Sequence, residues 1–172
     1  MRLGILTVSD ACSAGEREDR SGALLLEWAE REGFDVTERA VVPDEALTIT
    51  RMLLTWADSG AVDAIFTTGG TGFGPRDVTP EATRPVLDRE ATGLAERIRR
   101  HGESSTPFAP LSRGLVGERS GVFIVNLPGS PGGVRDGIGV LGPLVTHAVA
   151  LLAGERPSHG PPAGAAQRDE GA

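Results

Sequence analysis

The stretch TTGGTGFGPRD, from Thr67 to Asp77, combines four glycines with an arginine and an aspartate. Glycine lets the backbone approach a ligand closely and turn its N–H groups toward an anion. The hydroxyls of Thr68 and Thr71 add two donors, and the guanidinium of Arg76 offers a forked donor for phosphate oxygens. The composition of this loop therefore predicts a phosphate-binding segment.

The aspartate at the end of this loop does not suit phosphate binding by itself. A carboxylate at Asp77 would repel a phosphate unless a cation such as Mg²⁺ lay between them. The alternative is structural, in which Asp77 pairs with Arg76 or another arginine, or completes the turn. Asp44, in the sequence VVPDE, has two interpretations as well, a ligand or the N-cap of the next helix. If both aspartates are ligands, they form a magnesium–nucleotide site beside the glycine-rich loop.

The basic side chains restrict this chemistry further. All seventeen are arginines, because the 172-residue sequence contains no lysine. A lysine Schiff base, a lysine general base and the lysine of a Walker phosphate loop are therefore excluded. The loop also departs from the GxGxxG pattern of dinucleotide-binding turns. Phosphate must then be held by arginine, by backbone N–H groups or by a metal ion.

Composition excludes several other classes of protein. The net charge of −7 argues against general nucleic-acid binding, which requires a basic face. One cysteine, Cys12, permits neither an internal disulfide nor a cysteine-rich zinc site, and it is interpreted as a small loop residue. No apolar run approaches the roughly 18 residues of a membrane span, and the N-terminus becomes polar too early for a secretory signal. We therefore expect a cytoplasmic protein that does not enter membranes.

The elements that must position these residues follow from apolar patterning. Short apolar runs bounded by turn formers predict three buried parallel strands, and a more alternating run predicts an edge strand. The buried strands are expected at Leu3–Val8, Ala61–Thr67 and Gly121–Asn126, and the edge strand at Phe34–Val42.

Helical periodicity fills the intervals between the strands. Ile49, Met52, Leu53 and Trp56 share one face of a helix over about residues 45–59. Three further helices are marked by Leu24, Leu25 and Trp28; by Ala91, Leu94, Ala95 and Ile98; and by Leu141, Leu144, Val145, Ala148, Leu151 and Leu152. Both tryptophans and these leucines are interpreted as core. Alternating strands and helices predict an α/β fold, a three-layer sandwich with a mostly parallel central sheet.

The predicted topology brings three loops to one edge of that sheet. In open parallel sheets, ligands bind beyond the carboxyl ends of the strands. The three buried strands run directly into loops that carry glycine, serine or aspartate, at Ser9–Asp10 to Gly15, Thr68 to Asp77, and Asn126 to Gly133. A shared site is expected there. We assign residues 1–154 to one domain and residues 155–172, rich in Pro, Gly and Ala, to a disordered tail.

Five ordered motifs closely resemble those of the molybdopterin adenylyltransferase family, of the MogA and MoaB type, which also includes the G domain of gephyrin. They are TVSDACSAGEREDRSG, VVPDE, TTGGTGFGPRDVTPEAT, PLSRGLVG and VNLPGSPGGV. The resemblance spans roughly residues 2–153. It implies a molybdopterin-binding α/β fold, a homotrimer and a late step of molybdenum cofactor biosynthesis, in which AMP is transferred from Mg-ATP to the terminal phosphate of molybdopterin and pyrophosphate is released. A molybdenum-insertion enzyme is an implied partner.

Matching motif to motif assigns roles to individual positions. The resemblance implies that Asp77 and Asp44 are the catalytic, magnesium-binding acids. It places pterin or nucleotide binding on two segments, Gly69–Gly72 and Asn126–Ser130. From the residue types we add Arg76 as a phosphate contact. Ser9 and Asp10 are further candidate contacts that, like Ser130, equally suit a turn or a helix cap. The predicted binding residues of those segments are Gly69, Gly70, Thr71, Gly72, Asn126, Pro128, Gly129 and Ser130.

Two other functions share this fold. A competence-damage-type domain would process pyridine nucleotides or ADP-ribose derivatives, and its glycine loop differs from GGTGFGPRDVT. A binding module or scaffold would hold molybdopterin without turnover. The presence of both acidic positions favours catalysis.

Overall fold

A computed structural model describes residues 1–155, so the predicted tail falls, apart from Glu155, outside the described residues. The centre of the fold is a six-stranded sheet with the strand order β2-β1-β3-β6-β5-β4. Strands β1, β2, β3 and β6 are mutually parallel, whereas β4 and β5 are antiparallel to their neighbours. The strands are β1 Arg2–Val8, β2 Asp35–Val42, β3 Ala64–Thr68, β4 Arg89–Glu90, β5 Val116–Arg119 and β6 Val122–Leu127.

Helices cover both faces of this sheet. They are α1 Asp10–Ser13, α2 Arg20–Arg31, α3 Ala46–Asp58, α4 Thr79–Thr83, α5 Thr92–Gly102 and α6 Pro131–Leu152, with 3₁₀ turns at Arg84–Val86 and Ala109–Leu111. One apolar cluster joins α2, α5 and α6 to one face of the sheet, and a second joins α3 and α4 to the other. The predicted three-layer sandwich with a mostly parallel sheet is confirmed.

The cores contain the residues that periodicity selects, with two exceptions on α6, Leu144 and Leu151; Leu144 is half-buried and belongs to neither apolar cluster. Trp28 and Trp56 are 3% and 4% exposed, as predicted. Leu151, which helical spacing assigns to the core, is 48% exposed. The buried stripe of α6 runs through Leu141 and Val145, and Leu151 lies to one side of it in the last turn.

Most predicted strand ends lie within one residue of the observed ones, but the start of β3 differs by three residues. The strand expected at Ala61–Thr67 begins at Ala64, because residues 59–63 form the turn that leaves α3. The region from His101 to Glu118, which has no clear period, contains a 3₁₀ turn and β5, and β5 pairs with β6 as a hairpin. The predicted edge strand β2 is at an edge, as expected.

By length and composition alone, α6 is apolar enough to cross a membrane, with a mean hydropathy of 1.2. Core helices of water-soluble domains have the same properties. Val134, Leu141 and Val145 of α6 are fully buried within the domain, and 28% of the apolar 18-residue window as a whole is buried.

Candidate functional site

A cleft of about 1080 Å³ lies beyond the carboxyl ends of the parallel strands. Strands β1, β3 and β6 are neighbours in the sheet, so the loops that follow them emerge side by side. Ten of the thirteen sequence-predicted site residues line this cleft: Ser9, Asp44, Gly69, Gly70, Thr71, Gly72, Asp77, Pro128, Gly129 and Ser130. The three that do not are Asp10, Arg76 and Asn126.

The glycine loop is held against its neighbours at backbone distance. Gly69 and Gly70 have φ values of 104° and 62°, in the left-handed region that favours glycine. A Cβ on Gly69 would overlap the carbonyl oxygen of Val8, and a Cβ on Gly129 would lie 3.0 Å from the Cα of Gly69. The Thr68 hydroxyl donates to the carbonyl of Pro128 at 2.8 Å. The cleft floor is therefore backbone from three loops in direct contact.

One oxygen of Asp77 completes the turn of its own loop. Its Oδ2 accepts a hydrogen bond from the backbone N–H of Gly74 at 2.7 Å. Asp77 forms no ion pair with any arginine among residues 1–155, and Arg76 is turned elsewhere. Oδ1 of Asp77 accepts no hydrogen bond from that part of the chain, so one carboxylate oxygen is available to a ligand.

Asp44 is not the cap of the helix that follows it. Helix α3 begins at Ala46, and Glu45 occupies its N-cap position. Instead, Oδ2 of Asp44 accepts from the backbone N–H of Asp10 at 2.8 Å, and Oδ1 of Asp10 accepts from the backbone N–H of Asp44 at 3.0 Å. This reciprocal pair joins the loop after β1 to the loop after β2. Oδ1 of Asp44 lies 2.9 Å from the position that a Cβ on Gly70 would occupy.

The pKa values of Asp44 and Asp10 are shifted in opposite directions. Burial raises the pKa of the Asp44 carboxyl, and the negative charges of Asp10 and Asp77 raise it further. The hydrogen bonds from the Arg76 side chain hold the pKa of Asp10 below its usual value. A cation bound beside Asp44 and Asp77 would offset the repulsion between these two carboxylates.

The pH dependence of stability should separate these acids. Because its pKa is raised on folding, Asp44 binds a proton more readily in the folded state than in the unfolded chain. Ionised Asp44 therefore lowers the free energy of unfolding. This destabilisation disappears as the pH falls through the raised pKa of the folded state to below the pKa of the unfolded state. Asp44→Asn is therefore expected to unfold at higher urea than the wild type at pH 7 in EDTA, with a difference that shrinks toward pH 3.

Asp10→Asn provides the opposite case for the same measurement. The stability that ionised Asp10 contributes is present above its unfolded pKa and is lost as the pH falls through its lowered folded pKa. Asp10→Asn should therefore be less stable than the wild type at pH 7. Parallel pH profiles for the two variants would contradict these assignments.

The carboxylate oxygens of Asp44 and Asp77 that accept no hydrogen bond from the described part of the chain suit a magnesium ion whose remaining coordination positions are filled by a bound substrate and water. Mg²⁺ prefers hard oxygen donors and is commonly held by one or two carboxylates together with substrate phosphates and water. Asp44 and Asp77 each present one oxygen without a hydrogen bond from residues 1–155, in the same cleft as the glycine loop. No group of three or more His, Cys, Asp or Glu side chains in this range is arranged to hold a metal without such a ligand.

Arg76 and Asn126, two of the predicted contacts outside the cleft lining, are held by side chains of the fold. Arg76 forms a two-pronged ion pair with Asp10, with both nitrogen–oxygen distances at 2.9 Å, and does not line the cleft. Asn126 is 3% exposed, and its amide donates to the hydroxyls of Thr67 and Thr83. Asn126 therefore supports the floor of the cleft from within the fold and is not part of its surface.

Arg113 has an extensive role that the sequence did not indicate. Its Nε donates to the carbonyl of Gly72 at 2.7 Å, and one terminal nitrogen donates to the carbonyl of Asp77 at 2.8 Å. The other terminal nitrogen pairs with Glu81, and the guanidinium lies 5.3 Å from the ring centre of Phe73. The signal lay in the motif PLSRGLVG, but it did not show which loop this arginine holds.

Replacing the guanidinium should loosen the glycine loop. Arg113→Lys keeps the charge but loses the planar fork, so we expect the free energy of unfolding to fall by about 2 kcal/mol. Amide exchange of Gly72 and Gly74 should also accelerate. Urea denaturation and hydrogen-exchange mass spectrometry measure the two effects.

Arg119→Lys is the matched control for this change. Arg119 is about as buried as Arg113 and pairs with Asp58 away from the cleft. Its replacement should leave exchange in the glycine loop unchanged. Equal acceleration in both variants would show that Arg113 has no specific role there.

Positive groups complete the wall of the cleft. Helix α6 begins at Pro131, and Ser130 caps it by accepting from the backbone N–H of Gly133 at 3.1 Å. The first turn of such a helix is a favourable place for an anion. Three arginines outside the predicted site also line the cleft: Arg17, Arg20 and Arg99.

Comparison with protein families supports the fold and the motifs. Residues 4–147 match the family described as "Probable molybdopterin binding domain". A molybdopterin adenylyltransferase of Helicobacter pylori is 35% identical over 156 residues, which cover 90% of this chain and 89% of that protein. The crystal structure of the molybdopterin biosynthesis enzyme MoaB from Thermus thermophilus is 47% identical, with a TM-score of 0.84 over 90% of this chain and 97% of the other.

Several relatives are much longer proteins. The molybdenum cofactor synthesis protein cinnamon of Drosophila melanogaster is 40% identical, with 96% of this chain matched to 28% of that protein. The chain spans between 22% and 49% of the length of four such relatives.

Proposed function

Because the chain belongs to the molybdopterin-binding domain family, we propose that it is an enzyme of molybdenum cofactor biosynthesis that transfers AMP from Mg-ATP to molybdopterin. In this reaction the terminal phosphate oxygen of molybdopterin forms a bond to the α-phosphorus of ATP. The bond between that phosphorus and the bridging oxygen breaks, and pyrophosphate leaves. The observation that carries the proposal is the placement of Asp44 and Asp77 in one cleft with the glycine loop and the start of α6.

The side chains in the cleft suit a reaction that needs little proton transfer. A phosphate monoester is already an anion near neutral pH, so the nucleophile requires no strong general base. The absence of lysine and the lack of a histidine in the cleft lining are therefore compatible with catalysis. The main barriers are the approach of two anions and the charge that develops on the transferred phosphoryl group.

The protein contributes hydrogen-bond donors and carboxylates that would lower both barriers. Backbone N–H groups of the glycine loop and the N–H of Gly132 at the start of α6 would stabilise phosphoryl charge with little reorganisation. The N–H groups of Gly133 and Val134 already donate to Ser130. Asp44 and Asp77 would hold Mg²⁺, which supplies charge neutralisation and orientation of the phosphates when it is bound. Arg17, Arg20 and Arg99 add positive charge to the wall of the cleft. Arg76 would first have to leave Asp10 to contact a phosphate.

We also propose a homotrimer in the cytoplasm that passes its product to a molybdenum-insertion enzyme. These features rest on the family resemblance, and neither a membrane nor a nucleic acid is part of the proposal. Several relatives contain the corresponding domain within a longer chain.

Product identification tests the proposed reaction. Purified protein is incubated with molybdopterin and Mg-ATP, and the mixture is resolved by mass spectrometry together with a pyrophosphate assay. Adenylylated molybdopterin and pyrophosphate should appear in equal amounts, and only when both substrates are present. Binding of molybdopterin without AMP transfer at saturating Mg-ATP would identify a binding module. Hydrolysis of a pyridine nucleotide or of ADP-ribose under the same conditions would favour the competence-damage type.

A further inference from the structure

Exposed apolar side chains are concentrated at the cleft. The described part of the chain has six large hydrophobic residues with exposed side chains: Val41, Leu47, Phe73, Phe108, Leu111 and Leu151. Three of them, Phe73, Phe108 and Leu111, line the cleft. Phe73 and Phe108 are 74% and 71% exposed, whereas Phe66 and Phe123 are in the core. A phenyl ring in water forgoes the stabilisation of burial, so two such rings at one cleft indicate a ligand that covers them.

Phe73 is held in a fixed environment although it is exposed. The guanidinium of Arg113 lies 5.3 Å from the ring centre, within the range of a cation–π contact. The same guanidinium is fixed by the carbonyls of Gly72 and Asp77. The ring is therefore pre-oriented by the group that also sets the glycine loop, and little conformational entropy is lost when a ligand contacts it.

Phe108 belongs to a segment that is hydrogen-bonded to α6. The hydroxyl of Ser105 donates to Asp136 of α6 at 2.9 Å. The backbone N–H of Leu111 donates to the carbonyl of Phe108 at 3.0 Å and closes the 3₁₀ turn that presents the ring. A Cβ on Gly102 would lie 2.9 Å from the Cβ of Ala109, so this turn packs closely on the end of α5. The turn that carries Phe108 is therefore held in place by hydrogen bonds and by packing against α5.

We propose that Phe73 and Phe108 form a stacking subsite for the flat heteroaromatic ring of the ligand. The cleft contains two kinds of groups, one suited to phosphates and the other to a planar ring. Glycine-loop amides, the start of α6 and arginines suit phosphates, and the two phenyl rings suit a planar ring. A cleft of this volume accommodates a ligand that contains both parts. The inference rests on the proposed function, because both substrates of that reaction contain a planar heteroaromatic ring. ATP contains a purine and molybdopterin contains a pterin.

Affinity measurements test the subsite without turnover. Isothermal titration calorimetry is carried out with Mg-ATP, with magnesium tripolyphosphate, which lacks a ring, and with molybdopterin. Phe73→Ala, Phe73→Leu and Phe108→Ala should each weaken binding of at least one ring-bearing ligand roughly tenfold, as is typical for loss of one stacking partner. Binding of tripolyphosphate should remain unchanged, and Phe73→Trp should retain wild-type affinity. The ligand that loses affinity identifies which ring is stacked.

The control is Leu47→Ala, which removes an apolar side chain that is 68% exposed outside the cleft lining. Wild-type affinity in Phe73→Leu would overturn the proposal, because apolar bulk would then suffice. Equal weakening of tripolyphosphate would also overturn it, since the rings would then act through the phosphate loop. A change of molar mass in light scattering, with unchanged affinities, would overturn it too and assign the rings to an interface between copies of the chain. Ring stacking without AMP transfer would instead refute only the proposed reaction.

Discussion

Asp77→Asn is expected to reduce the rate of AMP transfer to molybdopterin roughly a thousandfold, which is the scale of losing one essential electrostatic contact in a phosphoryl-transfer site. The amide oxygen of Asn can still accept the hydrogen bond that Gly74 donates to the carboxylate in the wild type. The turn should therefore survive, while the negative charge that would hold Mg²⁺ is lost. Steady-state rates at several Mg²⁺ concentrations, with circular dichroism as the test of folding, measure the effect.

The matched control for Asp77→Asn is Asp58→Asn. Asp58 lies at the end of α3 and pairs with Arg119, and it does not line the cleft. This variant should transfer AMP at the wild-type rate. If Asp77→Asn kept wild-type activity while folded, the assignment of Asp77 to the metal would be wrong.

Gly69→Ala is expected to lower the free energy of unfolding by about 3 kcal/mol, through left-handed strain and steric overlap together. The residue has a φ of 104°, and a Cβ there would overlap the carbonyl oxygen of Val8 at the end of β1. The backbone of Gly69 also donates to Leu127 at the end of β6. Relief of the overlap would push apart the three loops that form the cleft floor, so ligand affinity should fall with stability. Urea denaturation and calorimetry measure the two losses.

Gly132→Ala is the control that tests whether the loss of stability is specific to Gly69 or follows from any glycine-to-alanine substitution. Gly132 lies in the first turn of α6, and a Cβ there meets no atom within 4 Å. Alanine is the better helix former, so this variant should be as stable as the wild type or more stable by roughly 0.5–1 kcal/mol. Comparable destabilisation of both variants would contradict the steric account of Gly69.

The fold was largely predictable because apolar runs and periodicity are local signals. Each buried strand has a continuous apolar sequence, and each ends in turn-forming residues, so the loops at the carboxyl edge followed from connectivity. The assignment of Leu151 to the core was wrong because helical spacing does not show where the buried stripe leaves the sheet. The start of β3 was misplaced for a similar reason, since Val62 is buried although it precedes the strand.

The site was only partly predictable because its geometry depends on pairs that are distant in sequence. Residue type could not distinguish a cap from a ligand at Asp44, and the reciprocal contact with Asp10 spans 34 residues. The forked donor of Arg76 suggested phosphate, yet Asp10 occupies it across 66 residues. The clamp formed by Arg113 reaches back 41 residues to Gly72. Such long-range choices depend on the folded chain.

The central claim is that Asp44 and Asp77 together hold the metal of the nucleotide in this cleft. The most direct measurement is a crystal structure of the protein with Mn²⁺ and α,β-methylene ATP, in which anomalous scattering locates the metal. The account predicts one metal peak within coordination distance of an oxygen of each carboxylate, beside the glycine loop. A metal bound by the phosphates alone, with both carboxylates beyond coordination distance, would contradict it.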